Sequence, residues 1–180
     1  MKKLLSVSIF IVLVASLSFG QTYKKGNNML NIGIGPGLAG IYGTMDIPSI
    51  SAGFQAGIHE KFSVGGIVGY SSSSYDGGTY LGHDYEWTYT YIVIGARGEY
   101  HFVDADVEDL DLYGGLTLGY NIVSVSEPSG FSGFGYSAQG SYLLYGFHAG
   151  GRYYFSQSIG AFLELGYGVG YIVAGVTFRL

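Results

Sequence analysis

Five ionisable residues in the second half of the chain have a spacing that could support chemistry. Arg97, Glu99 and His101 alternate along one stretch, and Arg152 and Glu164 lie in two later stretches. Alternate residues of a strand point to the same side of a sheet, so the pattern predicts all five on one inward face. Charges enclosed together must pair, because a buried unpaired charge is costly. We therefore predict a network of ion pairs that plugs a narrow lumen.

Two other roles for these residues stay open, a gated polar pathway and a catalytic centre. The histidines are His59, His83, His101 and His148. None is predicted to lie beside a serine and a carboxylate on the outward face, which is where an enzyme acting on membrane lipid needs its nucleophile and base. We expect no catalytic residue, no cofactor and no resident metal.

Two motifs in the chain match functional signatures only in part. Gly35–Gly40 fits the spacing GxGxxG, but no helical pattern follows it and Pro36 lacks an amide, which argues against a phosphate-binding loop. Asp104–Asp111 begins like a calcium loop, but it lacks the glycine at the sixth position and the glutamate at the twelfth. We interpret it as a solvated acidic turn, with weak divalent-ion binding as the alternative.

The amino-acid composition indicates which kind of fold positions these residues. Only 12% of the residues are charged, whereas 17% are aromatic and 32 are glycine. A soluble domain needs a more charged surface. No apolar run after Gly20 is long enough for a membrane helix. A transmembrane β-barrel remains, because only helices and closed barrels satisfy their backbone in lipid. The alternative, a soluble eight-stranded barrel, would need an exterior rich in Lys and Glu.

The amino terminus has the features of an export signal. Residues 1–20 combine Lys2 and Lys3 with an apolar run and small residues at Ser18 and Gly20, which predicts a cleaved signal peptide. The alternative is a membrane anchor, but the run is shorter than the ~20 residues that span a bilayer. Residues 21–28 are predicted to form a short periplasmic lead-in, and residues 29–180 the barrel. Zero cysteines exclude a disulfide scaffold, and a net charge of −5 argues against nucleic acid as a partner.

Alternation of apolar and small or polar residues predicts eight strands. They are Met29–Leu38, Ser49–Ile58, Phe62–Ser72, Trp87–Phe102, Leu112–Val123, Tyr142–Phe155, Ile159–Tyr167 and Tyr171–Leu180. The connections at Ser71–Glu86 and Ser124–Ser141 are long and polar, whereas those at His59–Lys61 and Ser156–Ser158 are short. Outer-membrane barrels have long outer loops and short periplasmic turns, so both termini are predicted in the periplasm.

The last strand carries a further signal. Gly175, Phe178 and Leu180 resemble the C-terminal insertion signal of outer-membrane barrels. Pairing of this strand with Met29–Leu38 would close the sheet and remove an exposed edge. Aromatic residues near the strand ends are predicted to form girdles at the two bilayer interfaces. These are Phe62, Tyr70, Tyr100, Phe102, Tyr120, Tyr153, Phe155, Tyr167, Tyr171 and Phe178.

Several segments resemble the small outer-membrane β-barrel family of Bacteroidota-type bacteria, which is related in architecture to the OmpX, OmpA and OmpW barrels. They are Phe62–Tyr70, Ile94–Phe102, Leu112–Tyr120, Glu164–Tyr167 and Ala174–Phe178. The resemblance implies an outer-membrane location, with membrane lipid and the barrel-insertion machinery as partners. It supplies no catalytic motif.

The function expected from the residues and the resemblance is a monomeric, non-enzymatic structural or surface-exposed envelope protein. Its loops at 71–86 and 124–141 would contact any external ligand. The alternative is a narrow porin-like or OmpW-like transporter of small or apolar solutes. A third alternative, an envelope lipid-modifying enzyme, would need active groups near the outer rim.

Overall fold

The computed structural model describes residues 23–36, 43–80, 83–102, 109–126 and 140–180. These residues form eight strands: β1 (Asn28–Gly35), β2 (Thr44–His59), β3 (Phe62–Tyr80), β4 (His83–His101), β5 (Leu110–Ser126), β6 (Tyr142–Tyr154), β7 (Ile159–Tyr167) and β8 (Ile172–Arg179). The signal peptide predicted at 1–20 lies outside the described residues, as do most of the acidic turn and residues 127–139 of the second long loop. No helix in the described ranges has the length and apolar character needed to cross a bilayer.

The eight strands form one closed antiparallel barrel in which each strand pairs with its neighbours in the chain. The barrel closes between β1 and β8, where Met29 lies opposite Arg179 and Ile34 opposite Ala174. The predicted pairing of the first and last strands is therefore confirmed. Closure leaves no sheet edge exposed, which a chain ending in an apolar strand requires.

The two faces of the barrel are inverted relative to a soluble protein. Large hydrophobic side chains point outward, and Leu116 and Tyr145 are 70% and 72% exposed. Polar side chains point inward, and Arg152 is 0% exposed. The alternation predicted from the sequence is seen in the strands, and β4 pairs with β3 without a register shift from Tyr100 to Glu86. An apolar exterior of this kind is stable only against lipid.

β3 is much longer than predicted, and β4 begins four residues earlier than predicted. Ser71–Glu86 was expected to be a loop, and this prediction is wrong. Residues 71–80 continue β3 and residues 83–86 begin β4. Serine and glycine indicated a turn, but the register continues unbroken from Tyr70 opposite Ile92 to Asp76 opposite Glu86. Pairing with a segment rich in Thr, Tyr and Trp, which favour strands, decided the structure there.

β2 and β5 also begin earlier than predicted. β2 starts at Thr44 rather than Ser49, and β5 starts at Leu110 within the expected acidic turn. Strands β2 to β5 have 16 to 19 residues, whereas β1, β7 and β8 have only eight or nine. About 9–11 residues of a tilted strand span a bilayer. The barrel wall is therefore tall on one side and, on the other, close to the shortest length that spans a bilayer.

The described part of the predicted lead-in packs against the barrel. Tyr23 is 2% exposed and Asn27 is also buried. The backbone of this segment pairs with the end of β2, because Gly57 N donates to Asn27 O at 2.7 Å and Gly26 N donates to Gly57 O at 2.9 Å. The segment therefore covers the end of the barrel at which β1 begins and β8 ends.

Candidate functional site

The lumen contains a cluster of buried ionisable side chains on β4, β5, β6 and β7. The structure places all five residues singled out from the sequence in it: Arg97, Glu99, His101, Arg152 and Glu164. Their strands position them by simple alternation, since each inward position follows the last by two residues. The small residues around them, mostly Gly, Ser and Thr, leave room for long charged side chains in a barrel this narrow.

Arg97 and Glu164 form a bidentate ion pair across the lumen. Arg97 Nη2 donates to Glu164 Oε2 at 2.8 Å and Nη1 donates to Oε1 at 3.2 Å. The third nitrogen, Nε, donates to Thr117 Oγ1 at 3.3 Å. Glu164 Oε1 also accepts a hydrogen bond from the Tyr113 hydroxyl at 2.8 Å. Parallel hydrogen bonds between charged groups are among the strongest in proteins, so this pair is held in one geometry.

Arg152 is the centre of the second half of the cluster. It bridges two carboxylates, because Nη2 donates to Glu99 Oε2 at 2.8 Å and Nη1 donates to Asp111 Oδ2 at 3.0 Å. Its Nε donates to Asn31 Oδ1 at 3.3 Å, and its guanidinium lies 3.7 Å from the centroid of the Tyr113 ring. A fully buried guanidinium requires such complete pairing.

His101 connects the cluster to the segment that covers the barrel end. Its Nδ1 lies 2.7 Å from Asp111 Oδ1, and its Nε2 lies 2.9 Å from Ser63 Oγ. The ring stacks on Tyr23 with a centroid distance of 3.5 Å. The Tyr23 hydroxyl donates to the carbonyl of Phe62 at 2.7 Å. Burial, and then the negative charge of Asp111, raises the pKa of Tyr23 to about 12, so the phenol stays neutral at physiological pH.

Ser63, His101 and Asp111 are in hydrogen-bonding order for a serine nucleophile, a base and an orienting carboxylate. Catalysis also needs space for a reacting atom beside the nucleophile. All three side chains are buried, Tyr23 covers the imidazole, and the lumen cavity described below is lined by neither Ser63 nor His101. The arrangement links the cluster to the barrel wall, as a structural hydrogen-bond chain does.

Four members of the cluster were missed in the sequence: Gln55, Asp111, Tyr113 and His148. Asp111 was assigned to a solvated turn, but it is buried and bound to Arg152 and His101. A signal existed, since Asp111 has the same alternation as Tyr113, Gly115 and Thr117 further along β5. Gln55, Tyr113 and His148 share the inward alternation of their strands, but the sequence did not identify them as partners of the charged residues. Gln55 Nε2 donates to Glu99 Oε1 at 3.0 Å.

An apolar layer fills the lumen toward the taller end of the barrel. It consists of Ile67, Tyr91, Val93, Leu144 and Val169, all buried. Val93 and Arg97 lie four residues apart on β4, which is about 13 Å along a strand. Val169 belongs to the short connection between β7 and β8 and packs inward against this layer. The lumen is thus filled by ionic side chains on one level and hydrophobic ones on the next.

A small cavity of about 20 Å³ remains beside the ionic cluster. Its lining includes Arg97, His148 and Glu164 from the polar level and Ile67 and Val169 from the apolar one. The volume suffices for roughly one water molecule. It also touches Phe147 and Tyr167, whose rings stack on the outer surface at the top of the β6–β7 pairing.

Most of the predicted aromatic residues lie on the outer surface near the strand ends, whereas Tyr70 and Tyr120 lie well inside the lengthened β3 and β5. At the end where β1 begins, the Tyr100 ring contacts those of Phe62 and Phe102, each at 5.2 Å between centroids. At the other end Tyr167 contacts Phe147 and Tyr171. The positions fit two girdles, although their role at a bilayer interface stays a prediction.

Comparison with known proteins finds similarity in fold. No family model and no curated protein matches the sequence. The barrel is similar to the crystal structure of the outer membrane protein OprG from Pseudomonas aeruginosa, with a TM-score of 0.66 and 14% identity over 89% of this chain and 98% of that one. It is also similar to Ail, the attachment invasion locus protein of Yersinia pestis, with a TM-score of 0.50 and 13% identity over 86% and 95% of the two chains.

The chain has the fold of an eight-stranded outer-membrane β-barrel. Identities this low establish the architecture and leave the role of this barrel to be argued from its own residues.

Proposed function

We propose that this chain is a non-enzymatic outer-membrane protein of the Bacteroidota-type small barrel family, with a structural or surface-exposed envelope role and a lumen closed by side chains. The observation that carries the proposal is the ionic cluster across the lumen. Arg97 and Arg152 each bind carboxylates from other strands, so the cluster ties opposite walls together. An apolar layer above it closes the same passage a second time.

The proposed orientation places both termini in the periplasm and the taller end of the barrel outside the cell. The extension of β3 and β4 at the end opposite the termini supports it, because the outer side of such barrels carries the taller connections. In this orientation the tall β3–β4 hairpin and the connection after β5 would be the parts that meet an external partner. Tyr75 is exposed on this hairpin, and tyrosine is suited to adaptable surface contact.

A transport role is the second candidate, because of the position of the cavity. It reaches both lumen residues, such as Arg97, and outward-facing ones, such as Phe147 and Tyr167. A small or apolar solute could use a route through the wall at this point. The cavity itself holds about one water, which favours the closed barrel over an open pathway.

Conductance in planar lipid bilayers tests the proposal. We expect the folded full-length protein to insert and to show no stable conductance steps, because both layers of the lumen are filled. The protein is delivered to the bilayer by fusion of lipid vesicles, and its insertion is verified separately by co-flotation with those vesicles. Regular single-channel steps from inserted protein would overturn the closed lumen and favour the transport role.

A further inference from the structure

His148 is a buried polar side chain that the ionic cluster does not account for. It is 7% exposed, and neither ring nitrogen has a hydrogen-bond partner among the described residues. Its Nε2 lies 3.4 Å from Glu99 Oε1, but the two groups are not aligned for a hydrogen bond. Leaving a buried polar group without a partner is costly, so this imidazole is expected to have one.

The charges around His148 do not balance. Among the buried side chains that the structure describes, three carboxylates (Glu99, Asp111 and Glu164) face two guanidiniums (Arg97 and Arg152). With the imidazoles of His101 and His148 neutral, the cluster carries an excess negative charge, which a bound cation would balance. An uncompensated buried charge is strongly destabilising, so a bound cation would be favoured here.

The geometry suits a metal ion. Glu99, His148 and Glu164 each offer one ligand atom, and these atoms all lie within 4.8 Å of one another. Ligands of a tetrahedral zinc ion lie ~2.0–2.2 Å from the metal, and hence about 3.4 Å from each other. His148 Nε2 and Glu99 Oε1 have this separation, 3.4 Å. One imidazole with two carboxylates suits a transition metal better than calcium or magnesium, which prefer oxygen ligands alone.

We propose that Glu99, His148 and Glu164 form a binding site for one divalent transition-metal ion, such as Zn²⁺, inside the lumen. The adjoining cavity of about 20 Å³, which His148 and Glu164 line, has room for a water molecule as the fourth ligand. The ion would link β4, β6 and β7 and supply the positive charge that the cluster lacks.

Arg97 competes with the ion for the same oxygens. Its Nη1 donates to Glu164 Oε1 at 3.2 Å and lies 3.8 Å from Glu99 Oε1. Metal binding requires this guanidinium to withdraw from the shared oxygens, while its contact with Thr117 can remain. The arginine therefore weakens the site, and its removal would strengthen metal binding.

The test uses the untagged, folded full-length protein in detergent, freed of metal with EDTA and titrated with Zn²⁺ alone by calorimetry. We expect one ion per chain and a higher melting temperature with Zn²⁺ than with EDTA. His148→Gln removes the ligand nitrogen and is expected to lower the affinity more than about tenfold. The matched control is His59→Gln, because His59 is exposed at the β2–β3 turn and should be dispensable.

Three outcomes would overturn the site: no Zn²⁺ binding by the folded wild type, equal binding by His148→Gln, or loss of binding in His59→Gln. Arg97→Gln adds an opposite prediction, because it should bind Zn²⁺ more tightly than the wild type does. If Arg97→Gln does not fold, the comparison of His148→Gln with His59→Gln decides alone. The conductance of the barrel is measured in a separate experiment, so failure of the metal site would not contradict the proposed closed lumen.

Discussion

Arg152 shows why a charged residue can be fully buried in this barrel. It is 0% exposed, yet its guanidinium is satisfied by Glu99, Asp111 and Asn31. Lipid surrounds the barrel, so the hydrophobic side chains are used outside and the interior must be held by polar contacts. In this lumen, stability depends on complete pairing rather than on the number of charges.

Substitution of Arg152 tests this dependence. We expect Arg152→Ala to lower the free energy of unfolding by ~3–5 kcal/mol, because it leaves two carboxylates buried without their partner. Arg152→Lys should recover only part of the loss, since one ammonium cannot replace the fork that spans both carboxylates. Unfolding by urea is measured in detergent micelles, and the folded fraction is read from the heat-modifiable mobility on gels.

The matched control is Lys25→Ala, which removes a positive charge from an exposed side chain. This variant should unfold at the urea concentration of the wild type. Equal stability of Arg152→Ala and Lys25→Ala would show that the ionic cluster contributes little to the fold.

Tyr23 offers a titration that reports on the covered end of the barrel. Its pKa is raised from 10.0 to about 12, first by burial and then by Asp111. A raised pKa means that the folded state favours the neutral phenol. The resulting stabilisation is complete below pH 10.0 and is lost as the pH rises through about 12.

Alkaline titration of phenolate absorbance should therefore show a late phase in the wild type that is missing in Tyr23→Phe. The phenylalanine keeps the stacking on His101 and removes only the hydroxyl, so folding is retained. If the difference spectrum between the two proteins titrates near pH 10.0, Tyr23 is not buried against the cluster in solution.

At the scale of elements, the closure between β1 and β8 depends on close backbone approach. Gly33 and Gly175 are directly opposite each other at this seam. A Cβ atom at Gly175 would collide with the backbone carbonyl oxygen of Ile32. Any side chain at this position would force the two strands apart.

We expect Gly175→Ala to destabilise the barrel and to lower the fraction that refolds. Gly98→Ala is the control, because a Cβ there meets nothing within 4 Å among the described residues. The folded fraction of each variant is read from the gel-mobility shift after refolding into detergent, where no insertion machinery is present. A defect of Gly175→Ala that appears only in cells would instead assign this glycine to the insertion signal.

The sequence predicted which face of each strand points inward better than it predicted where each strand begins and ends. Alternation located the lumen residues on β4, β6 and β7, because each side chain must choose between lipid and interior. It could not locate strand ends, since nothing in the alternation says where hydrogen bonding stops. Asp111 was lost for this reason, because it lies one residue before the predicted start of β5. Nor could one strand reveal that Arg152 would meet Asn31, 121 residues away in the chain.

At the scale of the whole molecule, the barrel has a short wall and a tall wall. The short wall, formed by β7, β8 and β1, has strands of eight or nine residues, close to the shortest length that crosses a bilayer. The tall wall continues in the β3–β4 hairpin, which pairs in register from Phe62 opposite Tyr100 to Asp76 opposite Glu86. The part of the hairpin next to the barrel includes the buried Ser71 and Tyr91, whereas Tyr75, farther from the barrel, is exposed.

The division of this hairpin predicts that its upper part is separable from the barrel. We expect a variant that lacks residues 75–87, with Asn-Gly joining Ser74 to Thr88, to fold with a melting temperature close to that of the wild type. Ser74 and Thr88 are opposite each other in the register, and Asn-Gly fits a two-residue hairpin turn. Circular dichroism in detergent measures the melting temperature.

A larger excision provides the contrast. Removal of residues 71–91 takes out Tyr91, which packs in the apolar layer with Val93 and Leu144, and should destabilise the barrel strongly. If both excisions are equally damaging, the tall hairpin is part of the cooperative fold. If only the larger excision is damaging, the upper hairpin is not needed for folding and is free to contact an external partner. Loss of cell-surface binding in the variant that lacks residues 75–87 would assign that contact to the upper hairpin.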